Sequence, residues 1–296
     1  EILSRRDPST LKPTATLLHR ESICPQKGTA LLDELDEKSH KNAFAVSEDL
    51  KLSLREAIEL LGNEAIYSLK EHYHERVYDK QQAVTLTREC LRFMYRCLFL
   101  FYIEARPELG YAPMGVESYL KGYSLESLRE VAEADFETQE AEDGFTLHQS
   151  IKLLFEMIEK GFYPDRQKTL ESSKRKKPEY SQDPKEALHN IFSLSSLQSH
   201  LFDLKRTPTL SKVKIRNSVM AKIIQLLSLS RSGKRGRGRI SYAALGINQL
   251  GAVYEALLSY SGFFAESDLF EVKSASEKSE KSVNELDTAY FVTPEE

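Results

Sequence analysis

Leu86-Thr87-Arg88-Glu89-Cys90-Leu91-Arg92-Phe93-Met94-Tyr95-Arg96-Cys97-Leu98-Phe99-Leu100-Phe101-Tyr102-Ile103-Glu104-Ala105 is the stretch that decides the fold class. It holds no glycine or proline, and from Cys97 to Ile103 it is wholly apolar. A helix over about 82–105 follows, buried on almost every side because no polar face is left to meet water. Pro107 stops it, since the residue before a proline is pushed away from helical geometry. The apolar run is shorter than the roughly 20 residues that span a bilayer, and Arg92, Arg96, Glu104 and Arg106 flank it. It is therefore a core helix. Cys90 and Cys97, seven residues apart, share its face and read as buried, inert thiols.

On the N-terminal side, Leu50, Leu54, Ile58, Leu61, Ala65, Ile66 and Leu69 recur at helical steps. Ser47 is the expected N-cap, with Glu48 and Asp49 in the first turn where acids suit the helix dipole. Residues 1–46 show only weak periodicity; Leu31, Leu32 and Leu35 suit a short helix, and an extended, partly docked arm is expected. The chain starts at Glu1, without a methionine or an apolar leader, and reads as a fragment of a longer polypeptide.

On the C-terminal side, Ser124 caps a short helix through Glu133, and the acidic run 133–143 reads as a solvated linker. Thr146 caps an amphipathic helix through Leu147, Ile151, Leu154, Phe155 and Ile158, with Gly161 just past its end. Residues 164–184, rich in Lys, Ser, Gln and Pro, mark a mobile insertion. Helices are expected at about 184–193, 217–229 and, behind Asn248, 249–260. Two short strands are expected at 268–273 and 288–292, separated by the low-complexity stretch 274–282. The fold class is mainly α: a multi-helix domain with a short β element near the C-terminus. Its parts are an arm (1–46), a helical subdomain (47–163), a linker (164–184), a basic helical subdomain (185–262) and a β lead-in (263–296).

The chain has 296 residues with few helix breakers, 13 Gly and 10 Pro, which favours long helices over a sandwich of short strands. Three cysteines cannot build a disulfide framework, so a reducing compartment, the cytoplasm, is expected. Charge is segregated. Overall, 41 bases meet 45 acids. Yet residues 204–254 hold eleven bases, Lys205 through Arg239, and no acid. Unmixed positive charge over roughly fifty residues is the footprint of phosphate contact; the bland equivalent is a strip that docks on an acidic face of the protein. The densest part is Arg231-Ser232-Gly233-Lys234-Arg235-Gly236-Arg237-Gly238-Arg239. Guanidiniums and backbone N–H groups there suit phosphate oxygens. It lacks the Gly-Lys-Ser/Thr of a nucleotide-binding loop. Candidate contacts to nucleic acid are Arg231, Lys234, Arg235, Arg237 and Arg239, with Lys212, Lys214 and Arg216 extending the track.

Other chemistry is sparse. His72 and His74 are two apart, a spacing that points them to different sides of a helix and away from one metal. Asp268, Glu271 and Lys273 imitate part of a metal-dependent nuclease strand, with too short a gap between Asp and Glu-x-Lys. No nucleophile elbow, Cys/His pair or dinucleotide fingerprint is present. No catalytic, metal or cofactor-binding residue is assigned.

Four stretches together resemble a known family: Leu86–Leu91 through Leu109; Gly122-Tyr123-Ser124-Leu125-Glu126-Ser127-Leu128-Arg129; Gly238-Arg239-Ile240-Ser241-Tyr242-Ala243-Ala244-Leu245-Gly246; and Ile247-Asn248-Gln249-Leu250-Gly251-Ala252-Val253-Tyr254-Glu255-Ala256-Leu257-Leu258-Ser259-Tyr260. They resemble the region before the catalytic domain in large, single-chain bacterial DNA adenine methyltransferases. These are type IIG-like enzymes of restriction and phage-defence systems, the DISARM methylases among them. The likeness covers about 85–260, and more loosely 48–292. It implies a parent enzyme that moves a methyl group from S-adenosylmethionine to N6 of a flipped adenine in double-stranded DNA, with other defence-system subunits as candidate partners and no membrane. The family's Gly-rich cofactor loop and Asn/Asp-Pro-Pro-Tyr/Phe loop are absent from these residues. Tyr290-Phe291-Val292-Thr293-Pro294 is similar to the family's Tyr-Tyr-Thr-Pro opening, from which Val292 departs. Two other functions fit the residues: an interaction module docking a partner subunit, and a metal-dependent nuclease.

Overall fold

The computed structural model describes residues 11–25, 28–75, 79–164, 191–230, 238–258, 260–265, 267, 270–272 and 290–292. The protein is mainly helical. In chain order the helices among the described residues are α1 (Leu11–Leu17), α2 (Arg20–Ile23), α3 (Leu31–Tyr73), α4 (Lys80–Glu104), α5 (Glu117–Gly122), α6 (Leu125–Glu133), α7 (Gln139–Asp143), α8 (Thr146–Lys160), α9 (Pro208–Lys212), α10 (Asn217–Ser228) and α11 (Ile247–Leu258).

The predicted core helix forms as α4. Leu86, Cys90, Phe93, Met94, Cys97, Leu98, Leu100 and Phe101 are all buried along it. Against it lies α3, whose Leu50, Leu54, Ala57, Leu61, Ala65 and Leu69 are buried at helical steps. α10 packs against α3, α6, α7 and α8, and α11 against α3. One hydrophobic cluster runs from Leu50 to Leu257, so residues on both sides of 164–184 share a single core.

Several local expectations change. The long helix starts at Leu31, well before Ser47, and α1 and α2 lie ahead of it, so the described part of the expected extended arm is largely helical. Ser47 is buried inside that helix instead of capping it. The expected linker after Glu133 contains α7. Thr146 is the first residue of α8, and its N-cap is Phe145, which caps through no side chain. Asn217 does the capping from a distance: its Oδ1 accepts from Leu147 N at 3.0 Å. Of the helix expected at 184–193, residues 184–190 lie outside the described residues and 191–193 are not helical. Asn248 lies within the first turn of α11. Ser124 does cap α6, accepting from Ser127 N at 3.1 Å. Gly161 ends α8 at φ 80°, where a side chain would be strained. Near the C-terminus the described segments are Phe270–Val272 and Tyr290–Val292, antiparallel, with Phe270 opposite Val292 and Val272 opposite Tyr290.

Three buried glutamates on the two long helices tie the smaller elements down. Glu64 of α3 accepts from Arg216 N at the N-cap of α10. Glu89 of α4 accepts from Thr209 Oγ1 at 2.8 Å and Leu210 N at 3.0 Å, in the first turn of α9. Glu104 of α4 accepts from Leu125 N at 3.0 Å and Glu126 N at 3.2 Å, the first residues of α6, and from Tyr119 Oη at 2.9 Å. Helix N-termini leave unpaired N–H groups and partial positive charge, so each carboxylate finds donors that offset its burial. Arg96, 1% exposed, completes the pattern. It donates to Leu201 O, Thr207 Oγ1 and Asp203 O at 2.7, 3.2 and 3.0 Å, fixing the turn before α9.

Candidate nucleic-acid interface

The basic strip divides into three parts. The first is 212–216. Val213 and Ile215 are buried while Lys212 and Lys214 face out and Arg216 is half-buried, the alternation of extended chain. Each cation lies over an aromatic ring: Lys212 over Tyr73 at 4.6 Å, Lys214 over Phe145 at 5.5 Å and Arg216 over Tyr67 at 4.5 Å. Two also meet carboxylates. Lys212 pairs with Glu75. Arg216 grips Glu64 through Nε at 2.7 Å and Nη2 at 2.8 Å, with Asp143 at 3.8 Å. Glu64 is only 5% exposed, and its hydrogen bonds push the Arg216 guanidinium pKa up from its ordinary value. Arg216 is thus a structural clasp between α3 and α10. Lys214 has an exposed cation over Phe145.

The second part is the Gly/Arg segment. Arg231, Lys234, Arg235 and Arg237 lie outside the described residues. The chain on either side of them is held by an antiparallel bridge between Leu229 and Arg239. Ser230 N donates to Gly238 O and Ile240 N to Ser228 O, both at 2.8 Å. Gly238 N donates to Ser230 Oγ at 3.1 Å. Ser230 and Gly238, on either side of 231–237, are therefore held together beside the end of α10.

The third part is Arg239. Its guanidinium reaches Glu133 Oε2 at 3.0 Å and Glu126 Oε1 at 3.4 Å on α6. The same two glutamates hold Arg129, through a close contact to Glu126 and a longer one to Glu133 at 3.8 Å. Two arginines and two glutamates alternate here. Glu133 first, then the charges of Glu126 and Glu130, raise the Arg239 pKa. A cleft bordered by Phe101, Glu104, Met114, Arg129 and Tyr242 adjoins the array.

Sequence reasoning found the cations and missed their partners. Glu64, Glu75, Glu126, Glu133 and Asp143 lie from 70 to more than 150 positions away in the chain. Only the Glu126–Arg129–Glu133 spacing was visible locally, as three- and four-residue steps on one helix face.

The remaining candidates stay apart. His72 ends α3 edge-on to Phe145 at 6.2 Å, while His74 sits in the left-handed cap at φ 53°. Among the described residues no three His, Cys, Asp or Glu side chains gather as a metal site. Asp268 and Lys273 lie outside the described residues, with Glu271 in the first C-terminal segment. Cys90 and Cys97 are buried and free, and burial raises both thiol pKa values. Among the described residues no helix is long and apolar enough to cross a membrane. No family model, curated protein or solved structure matches this chain.

Proposed function

We propose that this chain is the helical, DNA-contacting segment of an S-adenosylmethionine-dependent DNA adenine-N6 methyltransferase from a cytoplasmic restriction or phage-defence system. Its contact to double-stranded DNA runs through the Gly/Arg segment. In this reading the β element near the C-terminus leads into the catalytic domain, and the cofactor binds there and not to these residues. The observation that supports the DNA contact is the bridge between Leu229 and Arg239, the described residues that flank the Arg231, Lys234, Arg235 and Arg237 stretch of the sequence. Four cations, two glycines and a serine in seven residues give a phosphate-binding surface without base selectivity.

The contact is tested by titrating labelled duplexes of unrelated sequence over a range of salt. Joint replacement Lys234→Ala, Arg235→Ala and Arg237→Ala weakens binding to all of them. It also flattens the slope of log affinity against log salt by roughly 0.9 for each phosphate that is no longer neutralised. Unchanged affinity and slope would overturn the contact. The methyltransferase assignment is tested by the gene sequence beyond Glu296, where absence of a cofactor fold overturns it.

A second reading, a protein-interaction module without DNA contact, is favoured by one observation. Lys212, Arg216 and Arg239 already pair with carboxylates of this chain. Under it the triple variant leaves DNA affinity untouched and loses a partner subunit in co-purification.

A further inference from the structure

Glu126, Arg129 and Glu133 lie on one face of α6. The inner cation, Arg129, is buried, although its partner Glu126 is 34% exposed. The outer one is not: the Arg239 side chain is 47% exposed and Glu133 29%. Exposed ion pairs are weak and exchange readily with competing anions. Glu130 is exposed on the same short helix, and its charge acts on Arg239 as well. Arg239 is bridged to Leu229, so these carboxylates stand beside the described residues that flank 231–237.

We propose that the acidic face of α6 is a built-in competitor for a polyanion. Glu133 and Glu126 occupy Arg239 as phosphate oxygens would, and a nucleic acid gains this cation only by displacing them. This rests on the polyanion contact proposed above and adds its regulation. The chain makes no phosphate contact at Arg239 until the carboxylates are neutralised, by substitution or by a partner that covers α6 with positive charge. Arg129 keeps Glu126 in place, so the face stays ordered when Arg239 departs.

The experiment is a salt series of duplex binding with the full chain and four variants. Glu133→Gln removes the nearest partner of Arg239 and leaves the Glu126–Arg129 pair. It should tighten binding about two- to fivefold at low salt and steepen the salt slope by roughly 0.9, as one more phosphate is neutralised. Arg239→Ala alone should leave the slope unchanged. Combined with Glu133→Gln, it should cancel both effects. Glu130→Gln, which breaks no ion pair among the described residues, should tighten binding less, with no change of slope. Where Glu133→Gln loses its cooperative thermal transition, Glu130→Gln decides, and binding no tighter than that of the unchanged chain overturns the competitor. A flatter slope for Arg239→Ala alone also overturns it, because Arg239 then already holds a phosphate. In both of those cases the polyanion contact stands. If neither the unchanged chain nor any variant binds duplex, that contact falls and the competitor with it.

Discussion

Glu104 is the titratable residue with the clearest consequence at neutral pH. Burial raises its pKa from the usual carboxylate value to about 7, against the lowering effect of hydrogen bonds from Leu125, Tyr119 and Glu126. A group whose folded pKa is raised contributes stability that is complete below its unfolded pKa and is lost as pH climbs through the folded one. The window is therefore about pH 4.5 to 7, and the loss across it is roughly 3 kcal/mol. Thermal melts at pH 5 and pH 8 should show this fall in the unchanged chain and a much smaller one in Glu104→Gln, whatever its absolute stability. A second residue-scale prediction concerns Arg96, whose pKa burial lowers to about 10. Arg96→Met keeps much of the volume but leaves Leu201 O and Thr207 Oγ1 without this donor, while Asp203 O keeps Arg206 N at 3.1 Å. At about 1–3 kcal/mol for each buried polar group left unpaired, urea denaturation should show a loss of at least about 2 kcal/mol. Glu89, Arg96 and Glu104 were visible in the sequence only as polar interruptions of an apolar helix. Their roles depend on partners 15 to 121 positions distant, which no local pattern encodes.

The strongly periodic helices α3, α4, α6, α8 and α10 formed where their apolar spacing put them, and their ends were legible only where the cap is local. Ser124 could be read because its acceptor meets an N–H three residues on. Ser47 carried the same signature and is buried mid-helix, because α3 continues back to Leu31. For α8 the cap comes from Asn217, which also donates Nδ2 to Ala141 O at 2.8 Å and its own N–H to Gly144 O at 2.7 Å. One side chain thus closes α7 and opens α8. Asn217→Ala should cost about 2 kcal/mol, the upper end for removal of a cap. The urea midpoint should drop at unchanged m, since the surface exposed on unfolding is the same.

At the scale of the whole molecule, the basic segment is not a freestanding unit. α9 and α10 each start on a glutamate of α3 or α4, and Ile215, Met220, Ile223, Ile224 and Leu227 enter the common cluster. Residues 191–265 produced alone should give no cooperative thermal transition by circular dichroism, and mixing with residues 28–164 should restore one. A cooperative transition in the isolated piece would show an independent core. By itself the sequence determined that the protein is mainly helical, which stretch lies at its centre and which fifty residues gather the positive charge. Those properties are periodicity, breaker content and local composition, each readable within a window of a few turns. Tertiary structure alone decided which of those cations are spent on this chain's own carboxylates, as Arg216 is on Glu64 and Arg239 on Glu133. Charge pairing depends on distance in space, and only the packing of α3, α6 and α10 brings residues more than 100 positions apart within 3 Å.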